Sequence, residues 1–394
     1  MNILVVCQYY FPEPVRISDI CEELVKRGNK VTVVTGIPNY PMGEYYDGYS
    51  LKTKREEIIN GVKVKRCFTI PRKKGVLMRI LNYFSFAISS SIYCSFLRED
   101  FDVVLVNQLS PVMMACGGIK YKRKYKKKLL LYCLDIWPES LKVGGIKEKS
   151  IIFKIFHWIS KRIYKSCDKI LVTTKSFKNY LQVQFNIENS AIAYLPQYAE
   201  SIFNKEDCVK KFNLSYDFMF AGNLGVTQSL DTIIDAADIL KEKENIKFHF
   251  VGDGIELERL KEKVNKLNLD NVIFHGRKKL EEMPKYYSMA DAMLVTLNGD
   301  SAVSSTVPGK VQTYMAAGKP IIGAINGETK VVIEEAKCGF CGNAGDSKEL
   351  ADNIIKFINC KNKNKLSNNS YSYYCKFFDK KNFISKLELE LKNK

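Results

Sequence analysis

The fold class is decided by the stretch NILVVCQYYFPEPVRISDICEELVKRGNKVTVVTG, residues 2–36. It opens with an apolar strand, which is followed by a loop, an amphipathic helix over residues 16–27, a glycine stop and a second apolar strand. The same order returns at residues 216–254, where YDFMFAG leads through NLGVTQS into a helix over about 230–244 and the strand IKFHFVGDG. Strands that alternate with helices in this way indicate parallel sheets. We therefore predict an α/β protein of two doubly wound Rossmann-type units, with ligands at the carboxyl ends of the strands.

Further apolar runs supply the remaining strands. The first unit has FDVVLVN, KLLLYCLD and KILVTT, and the second has NVIFHG, DAMLVTL, PIIGAI and CGFCG. A proline-bearing polar stretch at residues 194–203 predicts a boundary, which gives domains 1–199 and 200–372 and a terminal helix over 373–394. The stretch NCKNKNKLSNNSYS before that helix is typical of a surface turn or a short flexible link.

Length and composition are typical of a globular protein of two domains, with 394 residues, 46% of them apolar and 26% charged. Apolar runs stay below the roughly 20 residues of a membrane span, and the first residues form a strand pattern instead of a secretory signal. The twelve cysteines are scattered, as is usual in a reducing cytosol. The close pair Cys338 and Cys341 lacks the further ligands of a zinc site. We expect a cytoplasmic protein without a bound metal or other cofactor.

The net charge of +18 lies almost wholly in the first half, with 32 basic against 16 acidic residues before residue 200 and 29 against 27 after it. Such an excess favours a polyanionic partner, either nucleic acid or an acidic membrane surface. Residues 73–100 and 150–168 mix basic and apolar side chains, which is typical of helices at a bilayer interface and also of helices packed on a sheet. The lysine run at 120–128 resembles no nucleic-acid motif and indicates a solvated turn or a lipid-facing patch. We expect an anionic membrane surface as a partner, and no nucleic acid.

The stretch STVPGKVQTYMAAGKP, residues 305–320, predicts a helix that begins at Pro308 and ends at Gly318. A well-capped core helix is one explanation of this pattern. The other is an anion site, because a helix N-terminus presents free N–H groups and a partial positive charge to phosphate. Here Gly309 would admit a ligand to the backbone and Lys310 would add a full charge.

Motifs in both halves resemble one enzyme family. AGNLG, FVGDG, FHGRKKLEEMPKYYSMADAMLV and VPGKVQTYMAAGKPII resemble, in order and spacing, the carboxyl half of a family-four GT-B glycosyltransferase. CQYYFPEP, GNKVTVVTGIPNYPMG and LDIWPESL resemble the branch that builds bacterial O-antigen and capsule polysaccharides and includes N-acetyl-L-fucosamine transferases. The resemblance covers nearly the whole chain.

The resemblance implies a fold and a reaction. It implies two facing Rossmann-like domains with a cleft between them, and a terminal helix that crosses back to the first domain. The second domain would hold a nucleotide-diphospho-sugar, here a UDP-sugar with a deoxy or N-acetylated hexose. The first would hold an undecaprenyl-diphosphate-linked oligosaccharide at the inner face of the plasma membrane. Transfer would proceed with retention at the anomeric carbon and without a metal ion.

For the donor, the resemblance points to the glycine loop after YDFMFA, to the cations after NVIFHG and to the start of the helix at residue 308. A tight turn is the alternative for the loop, and a solvated charge is the alternative for Lys278. Many family members carry two glutamates where this chain has Ser305 and Thr313, so neutral hydroxyls replace both carboxylates. The implied donor-binding residues are Gly222, Asn223, Gly225, Arg277, Lys278, Ser305, Pro308, Gly309, Lys310, Val311 and Thr313.

Candidate catalytic carboxylates follow a strand of the first half. Asp135 and Glu139 flank a Trp-Pro pair in LDIWPES. A carboxylate there would accept the proton of the acceptor hydroxyl or bind the donor sugar, and we expect Asp135 to do so; a helix cap is the alternative. Same-face attack also leaves open that the leaving phosphate takes the proton. Glu13 and Arg16, in the first loop, are expected to face the cleft by their position and to bind the acceptor or a phosphate.

Other function classes fit the sequence less well. A non-hydrolysing nucleotide-sugar 2-epimerase shares the GT-B architecture, but the three histidines are fewer than we expect for that enzyme. A nucleic-acid-binding protein would explain the charge alone. A dehydrogenase would need G-x-G-x-x-G, which neither first loop contains.

Overall fold

The computed structural model describes residues 1–73, 75–143, 145–210, 214–299 and 304–393. The chain forms two compact units. The first contains Met1–Leu195 together with Ile384–Lys394, and the second contains Pro196–Phe383.

The first unit is built on an eight-stranded sheet in the order β3-β4-β2-β1-β5-β6-β7-β8. All neighbouring strands run parallel except β3 and β4. Central strands such as β5 are buried along their whole length, as expected of a parallel sheet covered on both faces. In chain order the elements are β1 Asn2–Val6, α1 Ile17–Lys26, β2 Lys30–Gly36, β3 Glu56–Ile59, β4 Val62–Cys67, α2 Val76–Phe96, β5 Val103–Gln108, α3 Cys116–Tyr125, β6 Lys128–Cys133, α4 Ser140–Val143, α5 Ile151–Lys165, β7 Lys169–Val172, α6 Lys175–Phe185 and β8 Ile192–Tyr194.

The second unit has a six-stranded, wholly parallel sheet in the order β11-β10-β9-β12-β13-β14. Its first strand, β9, lies between β10 and β12, so the connections leave it in opposite directions and open a ligand crevice at its carboxyl end. The elements are β9 Tyr216–Ala221, α7 Asp231–Ile239, β10 Ile246–Val251, α8 Leu257–Lys266, β11 Val272–Gly276, α9 Met283–Met289, β12 Ala292–Thr296, α10 Gly309–Ala316, β13 Ile321–Ala324, α11 Glu328–Ala336, β14 Gly339–Gly342, α12 Ser347–Asn359 and α13 Lys363–Phe377. The last helix, α14 Lys380–Lys392, begins in the second unit and belongs to the first from Ile384 onward.

Every strand predicted from an apolar run is present, and the α/β fold class with two parallel sheets is confirmed. The sequence analysis missed the antiparallel pair β3–β4, which joins Glu56 opposite Lys65 to Ile59 opposite Val62. The turn between them is Asn60-Gly61, with φ of 48° and 82°. Such left-handed conformations are the requirement of a two-residue hairpin turn, so the dipeptide was a usable signal.

The expected link NCKNKNKLSNNSYS is wrong, because most of it forms helix α13. The helix is held by tertiary contacts: the hydroxyls of Ser367 and Ser370 donate to the carbonyls of Gly318 and Lys319 at 2.6 and 2.8 Å. Aromatic side chains further along α13 pack against the core of the second unit. Helix α7 is also shorter than predicted, since it ends at Ile239.

The lysine run at 120–128 is not a solvated turn. It forms the last turns of α3 and the start of β6. Lys122 pairs with Asp168 at 2.6 Å, and the Lys128 ammonium donates to the carbonyl of Glu390 at 2.8 Å. The end of α14 is held in the same way to the first unit, where Arg27 pairs with Glu388 at 3.2 Å.

Candidate functional site

The predicted helix start at residue 308 is the N-terminus of α10. Pro308 has an extended conformation (φ −61°, ψ 141°), and the helix proper begins at Gly309, which is exposed. The rest of α10 is buried from Val311 to Ala316. The Val311 N–H donates to the Pro308 carbonyl at 2.9 Å. Within the described residues, the first-turn amides that are left for a ligand are those of Gly309 and Lys310. The body of this helix is therefore core, as one interpretation predicts, and the anion site at its first turn stays a prediction.

The Lys310 ammonium lies against the glycine loop that follows β9. Its nitrogen is 3.7 Å from the centroid of the Phe220 ring and donates to the Gln228 side-chain oxygen at 2.5 Å. A Cβ built on Gly222 would lie 3.2 Å from the same nitrogen. These neighbours remove water from the ammonium without supplying a carboxylate, and this desolvation lowers the pKa of Lys310 to about 7. A nearby anion would reverse that shift.

A cavity of about 800 Å³ opens beside this loop at the carboxyl edge of the second sheet. Five predicted donor-binding residues line it, namely Gly222, Asn223, Arg277, Lys278 and Thr313. Its wall also contains residues that the sequence analysis did not select: Glu200, Phe203, Asp253, Leu280, Met283 and Tyr287. The cavity thus combines small residues, two cations and an aromatic wall, as expected of a site for an anionic ligand with a ring system.

Close backbone contact explains two glycines of the cavity wall. A Cβ on Gly252, whose φ is 148°, would lie 1.8 Å from the carbonyl oxygen of Gly222. A Cβ on Gly254 would lie 2.3 Å from the carbonyl oxygen of Leu224. The loops after β9 and β10 therefore touch through their backbones, and the Leu224 N–H donates to the Asp253 carbonyl at 2.9 Å.

The cations Arg277 and Lys278 and the hydroxyl of Thr313 differ in their exposure and in the contacts that they already make. Arg277 is exposed, whereas the Lys278 ammonium lies 5.3 Å from the ring centroid of Tyr286. Thr313 is almost buried, and its hydroxyl already donates to the Lys310 carbonyl at 2.9 Å. Phe203 and Tyr287 stack with their ring centroids 4.9 Å apart. Because Phe203 and Glu200 come from a segment far from the motifs, no local pattern could have selected them.

The remaining predicted donor residues lie outside the lining of this cavity. Gly225 begins the short turn after the glycine loop, and Val311 is buried in the core. Ser305 is partly exposed and precedes the helix start. Of these residues, Pro308, Gly309 and Lys310 belong to the first turn next to the loop.

In the first unit, Asp135 follows β6 and is enclosed by polar partners. Its carboxylate accepts hydrogen bonds from the hydroxyls of Ser110 and Ser140, and the Trp137 indole donates to Ser110 at 2.8 Å. Burial is the main influence on the pKa of Asp135 and raises it above the usual range of an aspartate. The hydrogen bond from the Ser140 hydroxyl ties Asp135 to the first residue of α4.

Glu139 and Glu13 are both engaged in structural contacts. Glu139 accepts from the Tyr180 hydroxyl at 2.9 Å and pairs with Lys142 at 2.7 Å. The expectation that Glu13 faces an open cleft is not met, because only 3% of it is exposed. Its oxygens accept from the backbone N–H groups of Tyr10, Asn39 and Tyr40 at 2.8–2.9 Å and so join two loops. Burial raises the pKa of Glu13 to about 7.

The remaining predicted residue of the first loop, Arg16, is partly buried at the start of α1. The sequence analysis missed a second arginine at the same sheet edge. Arg72 follows β4 and lies between the rings of Tyr40 and Tyr83, with the guanidinium carbon 5.6 and 5.7 Å from their centroids. No sequence motif marks Arg72, because the two tyrosines near its guanidinium, Tyr40 and Tyr83, belong to other segments of the chain.

Two family profiles match the chain, one in each half. Residues 15–197 match the family described as Glycosyltransferase Family 4, and residues 204–373 match Glycosyl transferases group 1. The chain belongs to the family-four glycosyltransferases. Two curated relatives of this glycosyltransferase agree. The probable glycosyltransferase WbjE of Pseudomonas aeruginosa is 26% identical over 73% of this chain and 74% of its own. The putative colanic acid biosynthesis glycosyl transferase WcaI of Escherichia coli K12 is 24% identical over 81% and 82%.

Solved structures agree on the fold of this glycosyltransferase. HepE of Anabaena, solved in complex with UDP, superimposes with a TM-score of 0.71 at 13% identity, over 99% of each chain. The fold is GT-B, as predicted.

Proposed function

We propose that this glycosyltransferase moves a sugar from a UDP-sugar to an undecaprenyl-diphosphate-linked oligosaccharide in O-antigen or capsule biosynthesis, with retention at the anomeric carbon. The observation that carries the donor half of the proposal is the Lys310 ammonium beside the glycine loop and the first turn of α10. The polysaccharide context is supported by WcaI, whose name assigns it to colanic acid biosynthesis, and the choice of UDP by the complex of HepE. A deoxy or N-acetylated hexose is proposed as the sugar, and the neutral hydroxyls of Ser305 and Thr313 in place of two carboxylates are compatible with it.

The leaving UDP needs its developing negative charge stabilised. In the proposed reaction this is done by Lys310, by the amides of Gly309 and Lys310 at the positive end of α10, and by the cations Arg277 and Lys278. This set supports transfer without a metal ion or other cofactor, with the UDP-sugar as substrate. Asp135 is the proposed carboxylate of the acceptor side, held by Ser110 and Ser140, and the leaving phosphate is the alternative proton acceptor.

We propose in addition that the first unit docks on the anionic inner face of the plasma membrane through α2. Between residues 80 and 96 its exposed side chains are all apolar, and five of them recur every fourth residue, which places them on one face. These five form the ridge of α2, and their exposed fractions are Ile80 40%, Phe84 39%, Ile88 58%, Ile92 55% and Phe96 78%. Exposed Arg79 and Arg98 flank the ridge.

Helix α5 supports the same docking surface. It exposes Ile151, Ile155 and Trp158 beside exposed lysines, and the Arg162 guanidinium lies 4.3 Å from the Trp158 ring centroid. The Trp137 ring contacts Tyr83 of α2 and Phe156 of α5, with centroids 6.2 and 5.4 Å apart, so the two helices are neighbours. Apolar side chains among cations suit an interface with anionic lipid. Within the described ranges, no helix is long and apolar enough to cross a membrane.

The donor half is tested by thermal shift and activity. We expect UDP to stabilise the wild type equally with and without EDTA, and the Lys310→Ala variant to lose most of that shift. Indifference to UDP in the wild type, or an absolute need for a divalent ion, would contradict the proposed donor site. The epimerase alternative is excluded if the UDP-sugar is consumed only when an acceptor is present.

The membrane half is tested by co-sedimentation with phosphatidylcholine vesicles containing 0% or about 30% phosphatidylglycerol. We expect binding to the anionic vesicles alone, weakened about 10-fold or more by the double substitution Ile88→Ser and Ile92→Ser. Ile255→Ser is the matched control, because Ile255 is 85% exposed on the second unit. Equal binding of the ridge variant and the control would contradict docking through α2.

A further inference from the structure

A caged arginine lies at the ligand-binding edge of the first sheet. Gln8 and Tyr9 follow β1, Tyr40 follows β2 and Arg72 follows β4, and these three strands run parallel, so all four residues stand at one edge. The Tyr40 and Tyr83 rings flank the guanidinium at 5.6 and 5.7 Å. Tyr9 joins the cage through its ring, 5.2 Å from that of Tyr40.

The backbone of Arg72 is fixed by a chain of buried amides. The Arg72 N–H donates to the Asn39 side-chain oxygen at 2.9 Å. The Asn82 amide donates to the Ile70 carbonyl at 2.6 Å and accepts from the Gln8 side chain at 2.7 Å. All three amide side chains are at most 1% exposed, and the Gln8 oxygen has no hydrogen-bond partner within the described ranges. A network of uncharged, buried amide side chains therefore fixes the backbone position of Arg72.

The charge of Arg72 is not compensated locally. It makes no ion pair with any carboxylate in the part of the chain that the structure describes, in contrast to Arg66, which pairs with Glu57 at 2.7 Å. Lys73 and Arg79 add exposed positive charge nearby. The guanidinium lies near the Tyr40 and Tyr83 rings and hydrogen-bonds with the Tyr9 side chain, and its forked N–H groups match the oxygens of a phosphate.

We propose that Arg72 binds the diphosphate of the acceptor, with Tyr40 and Tyr83 holding its guanidinium plane and Asn39 and Asn82 as positioning residues. This inference rests on the proposed function, because it assigns the diphosphate to the lipid-linked acceptor. It places the acceptor's anionic group on the side of Asp135, because the Trp137 ring lies 6.2 Å from that of Tyr83 and its indole donates to Ser110, whose hydroxyl donates to Asp135.

The test uses the fluorescence of Trp137, whose ring lies 6.2 Å from that of Tyr83. The chain contains two tryptophans, so a Trp158→Phe background isolates the signal. With saturating UDP present to fill the donor site, inorganic pyrophosphate and farnesyl diphosphate are titrated in separate arms. We expect a saturable change with both probes, weakened about 10- to 100-fold in Arg72→Ala. Lys73→Ala, which removes the same charge from the next residue, should weaken it less than 3-fold.

Two results would overturn the proposal. They are the absence of a saturable signal in the background protein and equal losses in Arg72→Ala and Lys73→Ala. Arg72→Lys keeps the charge but not the fork, and should bind pyrophosphate more weakly than the background does; it also serves if Arg72→Ala does not fold. Because UDP stabilisation is measured on the same proteins, loss of the acceptor site is distinguishable from failure of the donor site.

Discussion

The pKa of Lys310 leads to a sharp prediction: binding of UDP at pH 8 takes up a proton. In the unliganded protein this pKa is about 7, lowered from 10.5 by desolvation. At pH 8 about nine-tenths of the molecules therefore carry neutral Lys310, and at pH 6 about one-tenth. A bound diphosphate favours the charged form and raises the pKa again. Complex formation should then take up about 0.9 proton at pH 8, whereas the contribution of Lys310 falls to about 0.1 at pH 6.

The assay is titration calorimetry of UDP in two buffers with different ionisation enthalpies, whose difference in heat counts the protons. The terminal phosphate of UDP, with a pKa of about 6, is already ionised at pH 8 and takes no part there. Lys310→Met should abolish the uptake. Lys278→Met is the matched control, because hydrogen bonding to Tyr286 raises the pKa of Lys278, so that residue is charged throughout and should leave the uptake unchanged.

The same titration fixes the sign of two pH dependences. Above pH 7 the affinity for UDP should fall by up to about 10-fold for each further pH unit, because more of the ligand's free energy is spent on protonating Lys310. Below pH 7 Lys310 is charged in the folded and the unfolded protein, so the cost of burying this charge lowers the free energy of unfolding in full. Between pH 7 and about 10.5 the folded protein has neutral Lys310 while the unfolded chain is still protonated, so the unliganded protein should gain stability as the pH rises. Proton uptake near zero at pH 8, or equal uptake in Lys310→Met, would refute the reasoning.

Three further predictions, made with four substitutions, test the structure. Gly252→Ala should lower the free energy of unfolding by at least about 3 kcal/mol, because the added methyl group meets a carbonyl oxygen. The methyl group of Gly309→Ala meets no atom within 4 Å, so this control should leave the melting temperature unchanged. Both variants are measured by thermal unfolding, and equal losses of stability would contradict this reasoning. Glu57→Ala should cost about 3 kcal/mol in urea unfolding, since it leaves the buried Arg66 charge without its carboxylate; a cost below 1 kcal/mol would contradict it. Asp135→Asn should lower kcat about 100-fold or more, with a melting temperature close to that of the wild type; an unchanged kcat would leave Asp135 only its structural role.

The strands were predictable because each is a short apolar run that the sheet buries on both faces. The hairpin β3–β4 was missed because charged side chains interrupt its apolar pattern, although Asn60-Gly61 marked the turn. Helix α13 was missed for a different reason. Its Asn and Ser residues have little helix preference of their own, and the helix is held by Ser367 and Ser370, whose hydroxyls donate to carbonyls of another segment.

The lining of the cavity in the second unit could be selected from the sequence where its residues belong to motifs next to strands, as Gly222, Asn223 and Arg277 do. Glu200 and Phe203 reach the same wall from a distant segment, so their place depends on tertiary structure. The sequence also did not indicate which of the predicted site residues are buried. Glu13 was expected in an open cleft, but three backbone N–H groups hold it inside the first unit.

The ridge of α2 also has a consequence for handling the protein. Five large apolar side chains along one helix face remain in contact with water whenever no bilayer covers them. In buffer without lipid, these side chains can be buried against the ridge of another molecule, so self-association should increase with protein concentration. Sulfate and other strongly hydrated salts should promote it, although the same salts weaken the attraction between basic side chains and anionic lipid. A mild detergent, and not a high ionic strength, is therefore the additive that should keep this enzyme monodisperse.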